Sequence, residues 1–185
     1  MCIRDRGTNG RSIAAPRGKT LGGSSSINGL VFNRGQSMDF DTWAQRGNKG
    51  WGYADILPYF KRYETRLGNG SPVYRGQAGE QVITDLEWRH PLCDAFIQAA
   101  TDMGIPLNED YNGVIQEGIS YVQRTSKGRL RHSAAKSFLN PIKSRKNLHI
   151  ITHAHTTSVI IEKGRANGVA FSRGGRHGEE MQVIA

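Results

Sequence analysis

The chain has 185 residues, with 25 lysines and arginines against 16 acids and a net charge of +9. Two cysteines exclude a disulfide framework and a cysteine-rich metal site, and no apolar run approaches the roughly 20 residues of a membrane-spanning helix. A basic charge leaves nucleic acid, an anionic membrane surface and phosphate-bearing ligands open as partners. The cysteine usage indicates a reducing, cytoplasmic location, with peripheral membrane association left open.

Residues 17–31, which we call the glycine-serine loop, read RGKTLGGSSSINGLV. Gly22 and Gly23 can adopt φ > 0 and allow close approach to the backbone, and three serines follow at a predicted helix start. Free N–H groups there, beside Arg17 and Lys19, would receive a phosphate or an electron-rich ring edge. An N-capped helix after a flexible turn is the competing explanation.

Gly18-Lys19-Thr20 is similar to the end of a phosphate-binding P-loop. That pattern, G-x-x-x-x-G-K-[ST] after a hydrophobic strand, requires glycine at position 13, where the chain has Ile13. The sequence therefore excludes a P-loop NTPase.

Several short stretches together carry a family resemblance: Arg17-Gly18-Lys19, Gly22-Gly23-Ser24-Ser25, Asn28-Gly29, Arg34-Gly35 and Asp39-Phe40-Asp41-Thr42-Trp43. They resemble the first signature of the glucose-methanol-choline (GMC) family of FAD-dependent oxidoreductases, in particular its choline dehydrogenase-like branch. The segment 128–141 is a second resemblance. The resemblance implies hydride transfer from the CH–OH group of an alcohol to flavin N5, with the alcohol, the electron acceptor, the choice between oxidase and dehydrogenase, and the oligomeric state left open.

The resemblance also implies FAD contacts along the glycine-serine loop and, at the adenine end, at Thr156. Some members carry a flavin-linked histidine at the position of Ile27, so isoleucine there predicts non-covalent FAD. The family's catalytic histidine lies in a C-terminal region that is not matched here, so we assign no catalytic residue. The implied cofactor-binding residues are Thr20, Leu21, Gly22, Gly23, Ser24, Ser25, Asn28, Gly29, Leu30, Val31 and Thr156.

The implied fold is an α+β fragment. It comprises part of an FAD-binding α/β domain, with the loop along the flavin, helices and a β-meander, and part of an antiparallel-sheet substrate domain. Relatives would carry a G-x-G-x-x-G dinucleotide motif upstream, and this sequence has none. We therefore interpret the chain as an internal piece of a longer protein, and whether residues 1–6 are native to it is left open. The predicted segments are 1–16, atypical; 17–64, the flavin-contacting signature and helices; 65–127, part of the substrate domain; and 128–185, a return to the FAD domain with the meander.

Three amphipathic helices are predicted in the first part of the chain. The first begins after an N-cap at Ser37 and closes at Gly47. The second requires Pro58 to lie in its first turn, and the third runs from Pro91 to Gly104. Their apolar faces are Met38, Phe40 and Trp43; Ile56, Tyr59, Phe60 and Tyr63; and Leu92, Phe96, Ala99, Ala100 and Met103.

The remaining segments are predicted from turn residues and alternation. Residues 65–81 and 108–118 are predicted as loops, and residues 81–86 and 119–125 as strands. Ser133 is predicted to cap a helix that buries Ala134, Ala135, Phe138 and Leu139. The predicted meander consists of the runs 148–152, 158–162, 168–172 and 181–184.

A non-enzymatic basic module that binds nucleic acid or another polyanion is the alternative function. Eight lysines and arginines and no acid lie between Arg124 and Lys146, and such a module would lose binding steeply with salt. Its single aromatic carbocycle, Phe138, falls on a predicted apolar face, so we expect no nucleic-acid partner. His149, His153 and His155 could bind Zn²⁺, but no cysteine or carboxylate completes the cluster, so no metal is expected.

Overall fold

The computed structural model describes residues 2–4, 9–175 and 178–184. It divides the chain into two compact units, Met1–Lys143 and Ser144–Ala185, and the predicted four-segment division stays a prediction. Helices and short strands are interspersed in the first unit, which confirms the α+β class. Its elements are β1 (Cys2–Arg4), β2 (Ser12–Ala14), α1 (Ser37–Gln45), α2 (Tyr53–Tyr63), β3 (Glu64–Leu67), β4 (Gln81–Thr84), α3 (Pro91–Asp102), β5 (Ser126–Lys127) and β6 (Leu130–Arg131).

The N-cap of helix α1 lies one residue before the predicted one. Gln36, with an extended backbone, occupies the N-cap position, and its N–H donates to the Asp39 carboxylate at 2.9 Å. Ser37 is the first helical residue, so its predicted role as the cap is wrong. The predicted end is confirmed, because Gly47 has φ +100° and donates its N–H to the carbonyl of Ala44.

Helix α2 contains Pro58 in its interior, not in its first turn as predicted. Proline has no N–H, so the carbonyl of Ala54 loses its helical donor, and both residues are exposed, which lets water solvate that carbonyl. Phe40 of α1 packs edge-on against Phe60 of α2 with ring centroids 5.6 Å apart. Tyr59 is 66% exposed, so its assignment to the buried face is wrong.

Strand β3 lies where the sequence predicted an irregular loop. It pairs in parallel with β4, from Glu64 opposite Gln81 to Leu67 opposite Thr84, and β4 is the predicted strand with a shorter end. The connection between them passes close to α2, because a Cβ at Gly76 would lie 2.1 Å from the carbonyl oxygen of Lys61. Only glycine fits at such an approach.

Helix α3 has the predicted limits. Its N-cap His90 accepts a hydrogen bond from Leu92 N–H, Pro91 is the first helical residue, and Gly104 follows with φ +91°. The predicted apolar face is nevertheless open: Leu92 is 74% exposed and Phe96 69% exposed among the described residues.

Residues 119–125 do not form the predicted regular strand. Ile119 bridges to Leu107, whereas Arg124 bridges to both Val31 and Thr84, so the segment changes partner along its length. As a result, residue 124 links the exit of the glycine-serine loop to β4.

The segment after β6 forms a π-helical turn, Ala135–Leu139, followed by a 3-10 turn, Asn140–Ile142. Ala134 and not Ser133 takes the N-terminal position, and no side chain caps the turn, so the predicted Ser133 cap is wrong. Ala135 is buried as predicted, but Phe138 is 39% exposed.

The second unit is an antiparallel meander of β7 (Ala154–Glu162), β8 (Arg165–Arg173) and β9 (Glu179–Ile184), in that order. Ala170, Phe171 and Ser172 of the central strand are its buried residues among those described. The predicted meander is confirmed except for its first run, since residues 148–152 are not a strand.

Candidate functional site

The glycine-serine loop contains a single 3-10 turn, Gly23–Ser26, in place of the predicted start of a longer helix. Gly22 and Gly23 have φ +88° and +56°, which glycine adopts without strain. A Cβ at Gly18 would lie 2.2 Å from the carbonyl oxygen of Gly23, so the loop closes on itself at that point. A Cβ at Gly23 would meet nothing within 4 Å, which leaves the outer side of the turn open.

The serine hydroxyls mostly hold the loop together. Ser25 Oγ donates to the carbonyl of Gly22 at 2.5 Å, and Ser26 Oγ donates to that of Leu21 at 2.8 Å. Ser24 Oγ accepts from Gly18 N–H at 3.2 Å, which leaves its own proton free. The hydroxyl protons of Ser25 and Ser26 are therefore engaged within the loop, because each hydroxyl has one proton, and the cofactor contact of Ser25 stays a prediction.

Asn28 joins the loop to the β5–β6 hairpin. Its Oδ1 accepts from Leu30 N–H at 3.1 Å and from Arg131 Nη1 at 2.7 Å. Arg131 Nη1 also donates to the carbonyl of Ser25 at 3.1 Å. Sequence reasoning missed Arg131, which is 103 positions from Asn28.

Leu30 has φ +69°, a left-handed conformation that is uncommon for leucine. Its carbonyl accepts from Thr125 N–H at 2.9 Å, and Phe32 N–H donates to the carbonyl of Gln123 at 2.9 Å. These two bonds flank Val31 and Arg124, which makes them a non-hydrogen-bonded antiparallel pair. The N–H and C=O of Val31 therefore point away from Arg124.

The loop carries both free backbone donors and exposed apolar side chains. Among the described residues, neither Gly29 N–H nor Val31 N–H has a hydrogen-bond partner. Leu21, Ile27 and Val31 are 48%, 59% and 52% exposed. The loop sequence contains no acid. This arrangement fits the edge of a flat, electron-rich ring, which needs N–H donors along its edge and apolar contact on its face.

Residues 32–34, which follow the glycine-serine loop, are held by hydrogen bonds to a second segment, residues 110–113. Tyr111 Oη donates to the carbonyl of Phe32 at 2.8 Å, and Asn112 Oδ1 accepts from Arg34 N–H at 2.7 Å. Burial raises the pKa of Tyr111 above its ordinary value of 10.0, so the phenol keeps the proton that it donates. The turn at residues 110–113 lies in the loop predicted at 108–118, but its contact with residues 32–34 was not predicted.

A buried network of ion pairs supports this second segment. Glu64 is fully buried between Arg34 and Arg75, and Arg75 Nε donates to its Oε1 at 2.7 Å. Arg75 also pairs with Asp110 and donates to Gln123 Oε1 at 2.9 Å. Two arginines and two carboxylates balance in charge, as a buried network requires.

His132 lies beside Arg131 and faces β4. Its Nδ1 accepts from Val82 N–H at 3.3 Å, which places the ring proton of the neutral form on Nε2. Burial, and then the charges of Lys127 and Lys136, lower the pKa of His132 below its ordinary value of 6.5. His132 is therefore a neutral structural acceptor at neutral pH.

The predicted cofactor residues fall into both units. Those at 20–31 lie together in the loop, whereas Thr156 lies in β7 of the second unit, at a register irregularity between Thr156 and Ser158. Its cofactor contact stays a prediction. Across residues 2–4, 9–175 and 178–184, no group of three His, Cys, Asp or Glu side chains could hold a metal ion, and no helix is long and apolar enough to cross a membrane.

A family model of GMC oxidoreductases matches residues 5–185. The chain belongs to the GMC oxidoreductase family. It is 46% identical over 168 residues to an oxygen-dependent choline dehydrogenase of Sinorhizobium fredii, a match that covers 91% of this chain and 30% of the relative. It is 41% identical over 169 residues to an alcohol dehydrogenase (acceptor) of Pseudomonas putida, with 91% and 31% covered.

The fold of the chain is also similar to the folds of solved oxidoreductase structures. Pyridoxine 4-oxidase from Mesorbium loti matches with a TM-score of 0.83 and 28% identity, covering 98% of this chain and 36% of that one. A formate oxidase variant from Aspergillus oryzae, solved to study FAD modification, matches with a TM-score of 0.78 and 26% identity, covering 100% and 33%. The chain thus spans about a third of the length of its relatives.

Proposed function

We propose that this chain supplies the flavin-contacting part of an FAD-dependent oxidoreductase that acts on the CH–OH group of an alcohol such as choline. The observation that carries the proposal is that the glycine-serine loop has two N–H groups without partners among the described residues, together with exposed apolar side chains. Membership of the GMC family supports it, as do relatives named choline dehydrogenase and alcohol dehydrogenase.

Within this proposal, each part of the loop has a role toward FAD. Gly29 and Val31 donate their N–H groups to the ring edge, while Gly22 and Gly23 allow close approach and Ser24 keeps a free hydroxyl proton. When bound, FAD supplies the hydride acceptor. The main chain at Thr156 contacts the adenine end. The further loop contacts are those of Thr20, Leu21, Ser25, Asn28 and Leu30.

Ile27 is the reason to propose non-covalent FAD. Its side chain is 59% exposed, and a hydrocarbon offers no nucleophile for a bond to the flavin. We assign no group of this chain as the base that removes the hydroxyl proton, since His132 uses its Nδ1 to accept from Val82 N–H.

The test is to purify the gene product that contains this chain and record its absorption spectrum. We expect a flavin spectrum, bleaching under anaerobic conditions with choline or another primary alcohol, and complete release of flavin into the supernatant after acid precipitation. A colourless protein, or a flavin spectrum that no alcohol bleaches, would contradict the proposed activity. Yellow colour retained in the precipitate would contradict the non-covalent mode alone.

A further inference from the structure

We propose that Arg131 is a positioning residue for the flavin: it sets the shape of the glycine-serine loop and places an unpaired positive charge beside it. The inference rests on the proposed function and adds a residue outside the loop to it. Arg131 lies at the end of β6, paired with Ser126 of β5.

The first argument is the number of points at which the hairpin holds the loop. Just before β5, Thr125 N–H donates to the carbonyl of Leu30 at 2.9 Å. Just after β6, Ala134 N–H donates to Ser25 Oγ at 2.9 Å. Arg131 lies between these two anchors and is the side chain that bridges Ser25 and Asn28.

The second argument is that Arg131 acts through Asn28 on the backbone of Leu30. Asn28 Oδ1 is shared between Arg131 Nη1 and Leu30 N–H, so the guanidinium fixes the carboxamide that in turn holds Leu30 at φ +69°. The conformation of Leu30 decides where the adjacent N–H of Val31 points. Loss of Arg131 would remove one of the two hydrogen bonds that fix the Asn28 carboxamide, and so would weaken the hold on the left-handed conformation of Leu30.

The third argument is charge. Among the described residues Arg131 forms no ion pair, whereas Arg34, Arg66 and Arg75 all do. Its two acceptors are neutral oxygens, so its charge is not cancelled locally. A positive charge held beside the loop would favour the negative charge that a bound flavin gains on reduction, and so would raise its reduction potential.

The experiment compares Arg131→Ala, Arg131→Lys and Arg129→Ala in the gene product that contains this chain. Arg129 is exposed in the turn of the same hairpin and is the matched control for charge. The readouts are the FAD dissociation constant by flavin fluorescence, the midpoint potential of the bound flavin, and the unfolding temperature of the apoprotein.

We expect Arg131→Ala to weaken FAD binding roughly ten- to hundred-fold, the loss typical of a charged hydrogen bond, and to lower the midpoint potential. Arg131→Lys keeps the charge, so it should have the wild-type midpoint potential but retain only part of the wild-type affinity for FAD. Arg129→Ala should match the wild type. Combining Arg131→Ala with Asn28→Ala should add nothing beyond the more severe single change, because both act on one linkage.

A wild-type protein without flavin would overturn the proposed function and this inference together. A flavin-bound wild type whose Arg131→Ala variant has unchanged affinity and potential would overturn this inference alone. So would an Arg131→Ala variant that only unfolds at lower temperature, since that is what a purely structural arginine would do. If Arg131→Ala does not fold, an Arg131→Lys variant with the wild-type potential and a reduced FAD affinity supports the inference, and one with a lowered potential contradicts the role of the charge.

Discussion

Four non-glycine residues of the described chain have positive φ: Asn9, Leu30, His153 and Lys163. Leu30 alone among these is apolar. Its left-handed backbone costs about 1–3 kcal/mol, and proteins retain such strain mainly at functional sites, which fits its position in the candidate cofactor loop. Hydrogen bonds to its N–H and to its C=O hold this conformation. At the residue scale, therefore, the site depends on backbone direction more than on the chemistry of side chains.

Gly23→Val should abolish flavin binding by the gene product. Gly23 has φ +56° and open space around the position of a Cβ, so a valine there would be strained and would also cover the surface that we propose to face the ring. Gly23→Asn should keep more flavin, because asparagine tolerates the left-handed region. The measurement is the ratio of flavin to protein absorbance after purification.

Ser71→Ala is the control for this series. Ser71 is exposed in the turn before Arg75, where its backbone carbonyl accepts from Tyr74 and Arg75 N–H whatever the side chain. Equal flavin content in the Gly23→Val and Ser71→Ala proteins would show that Gly23 is only a turn residue.

At the scale of elements, the π-helical turn after β6 is joined to β4 through His132. Val82 N–H and the hydroxyl of Ser137 both lie within hydrogen-bond distance of its Nδ1. A proton on Nδ1 would remove the acceptor for Val82 N–H, so the contact between the two elements requires the neutral ring.

His132 should make the stability of the protein depend on pH. Its folded pKa is lower than the ordinary 6.5, so the unfolded chain takes up a proton at a higher pH than the folded one. The free energy of unfolding should therefore fall as the pH drops from about 7.5 through 6.5 and level off below the folded pKa. Urea unfolding midpoints between pH 5 and 8 measure this.

His132→Gln should flatten that part of the pH profile, since glutamine can accept a hydrogen bond but does not titrate. His149→Gln, at an exposed histidine of the second unit, should leave the profile unchanged. A His132→Gln protein with the wild-type slope would refute the assignment.

Local periodicity predicted α1, α2, α3, β4 and most of the meander, because each carries its pattern within a few turns or residues. Strand β3 could not be predicted in this way. Its buried positions are Glu64 and Arg66, which read as surface residues until their partners from other parts of the chain are known. Arg131 was missed for the same reason, since a contact 103 positions away leaves no local pattern. The glycine-serine loop could be read directly because its backbone requirements appear as glycines in the sequence.

At the scale of the whole molecule, the exposed apolar face of α3 and the proposed role of the glycine-serine loop predict how the chain behaves when it is expressed alone. Expressed alone, residues 1–185 should not hold FAD tightly or oxidise alcohols, because the loop supplies one wall of a site and affinity depends on several walls fixed together. The chain should also aggregate, since Leu92, Phe96 and Met103 are 74%, 69% and 83% exposed.

Flavin fluorescence during titration with FAD, and light scattering of the purified chain, test these two expectations separately. Leu92→Lys combined with Phe96→Lys should lower the scattering without restoring FAD binding. Saturable binding of FAD at low micromolar concentration, or dye reduction with any alcohol, would show that these residues form a working unit.

The buried network around Glu64 also has a consequence for how the protein is made. Arg34 bonds through its backbone to Asn112, 78 positions later, and Arg75 to Gln123, 48 positions later. At a translation rate of about 5–20 residues per second, roughly 4–16 s separate the synthesis of Arg34 from that of Asn112. During this interval a nascent chain carries charged groups whose folded partners do not yet exist. The glycine-serine loop is translated early, but we expect it to become ordered among the last parts of the first unit, after the ribosome has passed Arg131.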